Sequence, residues 1–388
     1  MTNVDVYDVC NDLDFSKDII NFAHLSPTDV IFGPNCVQII GEKAKDFNAT
    51  KALIVTDPGI LNAGHLDIVL ESMRLANIEC VVYSVVTENP TSSDVNDCAI
   101  FAKSNSVDLI LGLGGGSSLD TAKGANFIIT NGGEMKDYRG IDKASNDMLP
   151  FFAVPTTAGT GSECQSFAII SDNHTHEKMA CGDKRAAAKI AFLDPLLTTT
   201  QPLKITAQTG IDAISHSIES LVTKTKTDVS EQYSRLAFKL INRSFENVIK
   251  DPENINARSD MLLGAAYAGT AIECSMLGAA HAAANPLTAK FSIPHGVAVG
   301  LMLPHVIKYN SLHNEVARVY GSLIDQCLSE RVLELLNIAK IKVSLREYGI
   351  SDNDLSGLSD AAATQWTGNF NPRGVIADDF LALYKSAL

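Results

Sequence analysis

Between residues 51 and 194, short β-branched runs alternate with segments of helical length, and this alternation restricts the fold more than any other feature. Residues 52–56 (ALIVT) end at Asp57-Pro58-Gly59, where a helical segment begins, and residues 80–86 (CVVYSVV) read as a second buried strand. Asn89-Pro90-Thr91 and the serines after it offer a helix start leading into residues 95–104. Residues 108–113 (DLILGL) form a third strand that breaks into three glycines, and residues 151–154 and 167–171 read as further strands. Strands and helices alternating at this length predict parallel βαβ units and a doubly wound, Rossmann-like sheet. Beyond Asp194-Pro195 the character changes. Residues 205–223 and 257–284 are too long and too alanine-rich for strands. A chain of 388 residues exceeds one ordinary core. We therefore expect an α/β domain over residues 1–195 and an all-α domain over residues 196–388.

Charge and cysteine usage exclude several classes of function. The formal net charge of −14 argues against nucleic acid and against anionic membrane surfaces, which both require clustered Lys and Arg. No run approaches about 18 apolar residues, so no membrane-spanning helix is expected. The acidic start, MTNVDVYDVCNDLDF, lacks the apolar stretch of a signal peptide. The eight cysteines include no C-x-x-C pair, which leaves a zinc ribbon or redox dithiol unsupported. Reduced cysteines and a cytoplasmic location follow as the expectation.

Two features of the first half suit a nucleotide. Gly112-Leu113-Gly114-Gly115-Gly116-Ser117-Ser118 joins a buried strand to a helix expected to start near Leu119. Glycines allow close backbone approach, a helix N-terminus offers N–H groups to phosphate, and Ser117 or Ser118 can cap the helix. A tight turn would leave the same cluster. Asp57, at the end of an earlier strand, can accept hydrogen bonds from an adenosine ribose and would repel a 2′-phosphate, favouring NAD over NADP. It can equally cap the segment after Pro58.

The second half carries metal-ligand chemistry. Asp212 and His216 are four apart in a helical segment and so share a face. Along one continuous helix, His281 and His295 would lie about 21 Å apart and could not share an ion. Pro286 and Pro294 are expected to interrupt that helix, placing His281 near a helix end and His295 on a returning segment. One carboxylate and three imidazoles suit iron, zinc, nickel or cobalt. His305 is a substitute ligand or a packed core histidine, and His24, His65, His174, His176 and His313 lack evident partners.

In this order the elements resemble the iron-containing (group III) alcohol dehydrogenase family. The motifs are Gly114-Gly115-Gly116-Ser117 with Asp120 and Lys123, Pro155-Thr156-Thr157-Ala158-Gly159-Thr160-Gly161-Ser162-Glu163, Gly210-Ile211-Asp212-Ala213-Ile214-Ser215-His216, His281, and Pro294-His295-Gly296-Val297-Ala298. The similarity runs from residues 52–57 to Asn371-Pro372-Arg373. It implies a dehydroquinate synthase-like architecture, with a dinucleotide-binding domain, a helical metal-binding domain and the active site in the cleft between them. Asp212, His216, His281 and His295 match the four ligands of a divalent metal, iron foremost, with zinc as an alternative. Gly114, Gly115, Gly116, Ser117 and Asp120 match the pyrophosphate loop and its flank, Asp57 the ribose-binding acid, and Thr156, Thr157 and Thr160 the lining of the NAD cleft. Many members carry a second histidine four residues after the third ligand. Here that position is Asn285, which can orient a hydroxyl but cannot take up a proton.

The implied reaction is hydride transfer between NAD(H) and a small primary alcohol, diol or hydroxy acid, or the matching carbonyl compound. The implied partners are that small molecule and further copies of the chain. Two alternatives stay open: a non-redox lyase or cyclase of the dehydroquinate synthase type, and a nucleotide-binding protein with altered catalysis.

Overall fold

The computed structural model describes residues 2–3, 20–25, 27–173, 175 and 177–388. Cys10, His174, His176, the side chain of His24 and most of the acidic N-terminal stretch lie outside the described residues. The chain divides into two compact units, one comprising residues 1–157 and 161–201, the other residues 158–160 and 202–388.

The first unit is built on a sheet of eight strands: β1 (Thr2–Asn3), β2 (Ile20–Leu25), β3 (Thr28–Phe32), β4 (Lys51–Val55), β5 (Glu79–Tyr83), β6 (Leu109–Gly114), β8 (Phe151–Pro155) and β11 (Ile190–Leu193). Their order is β1-β2-β3-β11-β8-β6-β4-β5. The six strands from β3 to β5 run parallel, while β2 is antiparallel to β3. β6, β8 and β11 are buried throughout, as continuous apolar runs covered on both faces require. The connections carry helices α1 (Ile40–Asp46), α2 (Pro58–Asn62), α3 (His65–Leu75), α4 (Ser92–Asn105) and α5 (Gly116–Asn131). Thr91 and Asp94 form a reciprocal capping box on α4, where the sequence placed a helix start.

Two expectations in this unit need correction. Residues 167–171 do not extend the main sheet. As β9 (Phe167–Ser171) they pair antiparallel with β10 (Lys178–Gly182), which lies parallel to β7 (Gly140–Ile141) in a separate sheet. Their alternating burial suits a sheet with one covered face. Helix α5 begins at Gly116 rather than near Leu119, and its N-cap is Gly115 with no side-chain cap, so neither Ser117 nor Ser118 caps it.

The second unit is helical: α6 (Leu203–Ser220), α7 (Asp228–Lys250), α8 (Ile255–Glu273), α9 (Ala279–Phe291), α10 (His295–Asn310), α11 (Asn314–Gly321), α12 (Leu328–Ile338), α13 (Leu355–Ala363) and α14 (Ala377–Ala387). Every residue of α6 from Gly210 to Ser220 is buried, and α8 is buried from Ala257 to Ile272, so neither stretch has a solvent face. Residues 257–284 are not one helix, because α8 ends at Glu273 and α9 starts at Ala279. Pro286 does not interrupt α9. The helix runs through it to Phe291, since burial of Ala282, Ala283, Ala284, Pro286 and Leu287 holds the turn despite one missing donor. The break comes at Ser292, in the left-handed conformation, and at extended Pro294. His281 is thus the third residue of α9 and His295 the first of α10, so both occupy first turns.

Candidate functional site

The strand order brings the two nucleotide signals together. The chain leaves β4 for β5 on one side and returns to β6 on the other, so β4 and β6 flank a topological switch point. Asp57 follows β4, and Gly114 closes β6. Gly114 has φ of 146°, and a Cβ there would sit 2.6 Å from Ser118 Oγ and 3.2 Å from Asp57 Oδ2. The φ strains any residue with a side chain, and a Cβ would also displace Ser118 Oγ. Asp57 Oδ1 accepts from the Gly59 and Ile60 amides at 2.8 and 3.2 Å, so the capping role is real, while Oδ2 lies 3.5 Å from Ser118 Oγ. With no side-chain cap, the first-turn amides of α5 suit an anion. The Thr156 amide donates to the Gly114 carbonyl at 3.0 Å, and Thr157 Cγ2 lies 3.2 Å from where a Gly115 Cβ would be. Thr160 groups with the second unit.

Asp120 is already engaged within the protein. Its carboxylate pairs with the fully buried Lys123 at 3.1 Å and accepts from Ser162 Oγ at 2.6 Å and the Ile169 amide at 3.3 Å. Lys123 also donates to the Ser162 and Gln165 carbonyls, tying α5 to the segment that opens β9.

Glu163, beside this cluster, is 1% exposed and its Oε1 has no hydrogen-bond partner. Burial, only partly offset by its own backbone amide and by Lys123, raises its carboxyl from the ordinary 4.5 to about 7. Between those values the native state keeps a proton that the unfolded chain releases, so stability falls as pH rises through the window. Glu163→Gln is expected to add on the order of 3 kcal/mol near pH ~8 and progressively less toward pH ~5. Melting curves at both pH values check this, and an equal gain at both would refute it.

In the second unit, three imidazoles surround one carboxylate oxygen. Asp212 Oδ1 lies 3.5 Å from His216 Nε2, 3.7 Å from His281 Nε2 and 3.9 Å from His295 Nε2. Asp212, His216 and His281 are buried, and their candidate ligand atoms lie within 4.8 Å of one another. Neither Asp212 Oδ1 nor His281 Nε2 makes a hydrogen bond. The separations are too long for hydrogen bonds. They approach the roughly 3.4 Å between atoms holding one cation tetrahedrally at about 2.1 Å. The donor set therefore fits a divalent metal.

Burial and mutual charge together set the proton affinities of these groups. Burial alone would raise the Asp212 carboxyl, but the three imidazoles outweigh it and hold it well below the usual carboxylate range. Burial lowers His216 against the pull of Asp212. For His281, burial is overcome by Asp212 and Glu219, which raise it to about 9.

A family model for iron-containing alcohol dehydrogenase matches residues 27–195, and one for the C-terminal region of the Fe-containing alcohol dehydrogenase family matches residues 206–388. The chain belongs to the iron-containing alcohol dehydrogenase family. It is 32% identical over 375 residues to alcohol dehydrogenase 4 of Schizosaccharomyces pombe, covering 94% of this chain and 89% of that one. It is 31% identical over 381 residues to 1,3-propanediol dehydrogenase of Citrobacter freundii, covering 94% and 98%. The solved alcohol dehydrogenase from Oenococcus oeni superposes with a TM-score of 0.90 at 29% identity, covering 96% of this chain and all of that one, at 100%. As a member of the family the chain is an oxidoreductase of the NAD- and metal-dependent alcohol dehydrogenase type. Its relatives do not favour the non-redox alternative.

Several side chains at this family's metal end were not anticipated. Glu219 lies 2.5 Å from His281 Nδ1, and Gln365 accepts from Asn285 Nδ2 at 2.9 Å. The spacing of seven between Asp212 and Glu219 is the one sequence signal that could have found the former. Gln365 has none. Two further histidines are engaged elsewhere: His65 Nε2 pairs with Thr200 Oγ1 at 2.7 Å and His305 Nδ1 with Ser386 Oγ at 2.9 Å.

Proposed function

We propose that Asp212, His216, His281 and His295 hold one divalent cation, iron foremost, and that the chain uses it with NAD to interconvert small primary alcohols, diols or hydroxy acids and their carbonyl forms. When bound, the cation supplies Lewis-acid polarisation of a substrate oxygen, and NAD supplies the hydride acceptor. Asp212 contributes the negative charge of the site, and the imidazoles contribute neutral donors, so a divalent site keeps net positive charge. Asn285 stands one helical turn after His281, its amide nitrogen engaged by Gln365, and presents its carbonyl oxygen to orient a substrate hydroxyl. Having no titrating group, it cannot accept the alcohol proton, which passes to solvent. Asp57, Gly114, Gly115, Gly116 and Ser117 receive the adenosine ribose and pyrophosphate of NAD, with Thr156, Thr157 and Thr160 lining the cofactor. Asp120 serves them by holding α5 in place.

The observation that carries this reading is the set of three imidazole nitrogens within 3.9 Å of one buried carboxylate oxygen. Metal analysis of the purified protein, combined with NADH formation over an alcohol and aldehyde panel, tests it. Stoichiometric metal with net NADH formation is expected. Absence of either would overturn it.

The same reading includes a homo-oligomer in a reducing cytoplasmic compartment, measurable by light scattering and thiol titration. Among the described residues, no helix is long and apolar enough to cross a membrane.

A further inference from the structure

Glu219 follows Asp212 by seven residues and His216 by three, which returns it to the face of α6 that carries both. It is 3% exposed. Its Oε2 lies 2.5 Å from His281 Nδ1 and also accepts from the His281 amide at 3.4 Å, while Oε1 accepts from the Ala280 amide at 2.7 Å. One carboxylate thus grips both the backbone and the ring of the same histidine. Asn371 completes this helix start, its Oδ1 accepting from the Ala279 amide at 3.3 Å without touching the imidazole.

A carboxylate can only accept, so His281 Nδ1 must be the donor in this pair. In the neutral ring the lone pair then lies on Nε2, the atom that has no hydrogen bond and faces Asp212 Oδ1. We propose that Glu219 is a positioning residue which holds His281 as the Nδ1–H tautomer and aims Nε2 at the cation. The proposal rests on the four-ligand reading given above. Such outer partners of metal-bound histidines commonly set about 10–100-fold in metal affinity. Glu219 also adds a second negative charge behind the site, opposite Asp212, which strengthens cation binding without occupying a coordination position.

The test is cobalt(II) binding to purified apo-protein, followed by chelator competition and by the visible ligand-field absorption of the bound ion. Glu219→Gln keeps the side-chain volume and an acceptor for the Ala280 amide, but its amide nitrogen can turn toward Nδ1 and place the ring proton on Nε2. A loss of about 10–100-fold in cobalt affinity is expected, with a changed absorption band. Asn371→Ala removes a cap from the same helix while sparing the imidazole. It is expected to lower the melting temperature and leave cobalt affinity unchanged. If Glu219→Gln does not fold, Glu219→Asp keeps the charge and withdraws the carboxylate by one methylene, and a weaker loss is expected there. Wild-type cobalt affinity in the Gln variant, or in the Asp variant used in its place, would overturn the positioning role while leaving the metal reading intact. An equal loss in Asn371→Ala would overturn it in favour of helix capping. A wild-type protein that binds no cobalt would overturn the metal reading and the proposal together.

Discussion

Replacing Asp212 with alanine is expected to give a folded protein that retains no stoichiometric divalent metal and loses at least about a thousandfold in alcohol turnover. Asp212 is the one anion among the four candidate ligands, and its Oδ1 is the atom around which the imidazole nitrogens of His216, His281 and His295 are spaced. Without it, no anionic ligand would remain to offset a dication in a buried site. Metal content and NADH formation, measured on the same preparation, check this result. A metal-replete, active variant would refute the ligand assignment.

Gly296→Ala is expected to destabilise the protein by about 3 kcal/mol and to weaken metal binding with it. A Cβ at position 296 would lie 2.1 Å from the backbone carbonyl oxygen of Gln208 and 3.2 Å from Asp212 Cβ. A side chain can rotate away from such a contact, but a backbone carbonyl inside α6 cannot. Relief requires α10 to move off α6, and His295, the adjacent residue, moves with it away from Asp212. For a unit of this size the loss corresponds to a drop of about 6–12 °C in melting temperature. Thermal melts and metal analysis check both halves of the expectation, and an unchanged melting temperature would contradict the packing argument.

The contrast between these two substitutions shows where the chain was legible. Asp212 stands out in the sequence because its partner His216 is one helical turn away, and helical periodicity is a local property. Gly296 looks like any other glycine until α10 is laid against α6. Glu219 was missed for a related reason: a glutamate late in an alanine- and serine-rich helix reads as solvent-facing, and only burial of the whole segment from Gly210 to Ser220 turns it inward. Pro286 misled in the opposite direction. Its local tendency to end a helix was real, yet burial of its neighbours outweighed the loss of one hydrogen bond.

By itself, the sequence determined the parallel α/β sheet, the helical second half, the pairing of Asp212 with His216 and the glycine turn after β6. Each is written in residues close together in the chain, where strand and helix periods act directly. Tertiary structure alone decided which distant residues meet. Strand order set Asp57 beside the glycine turn, 61 residues away from Ser118 along the chain. The break at Ser292 and the close contact of α10 with α6 brought His295 to Asp212, and burial of α6 gave His281 its carboxylate. Such contacts depend on how helices and strands pack, and packing is a property of surfaces assembled from many segments rather than of any one of them.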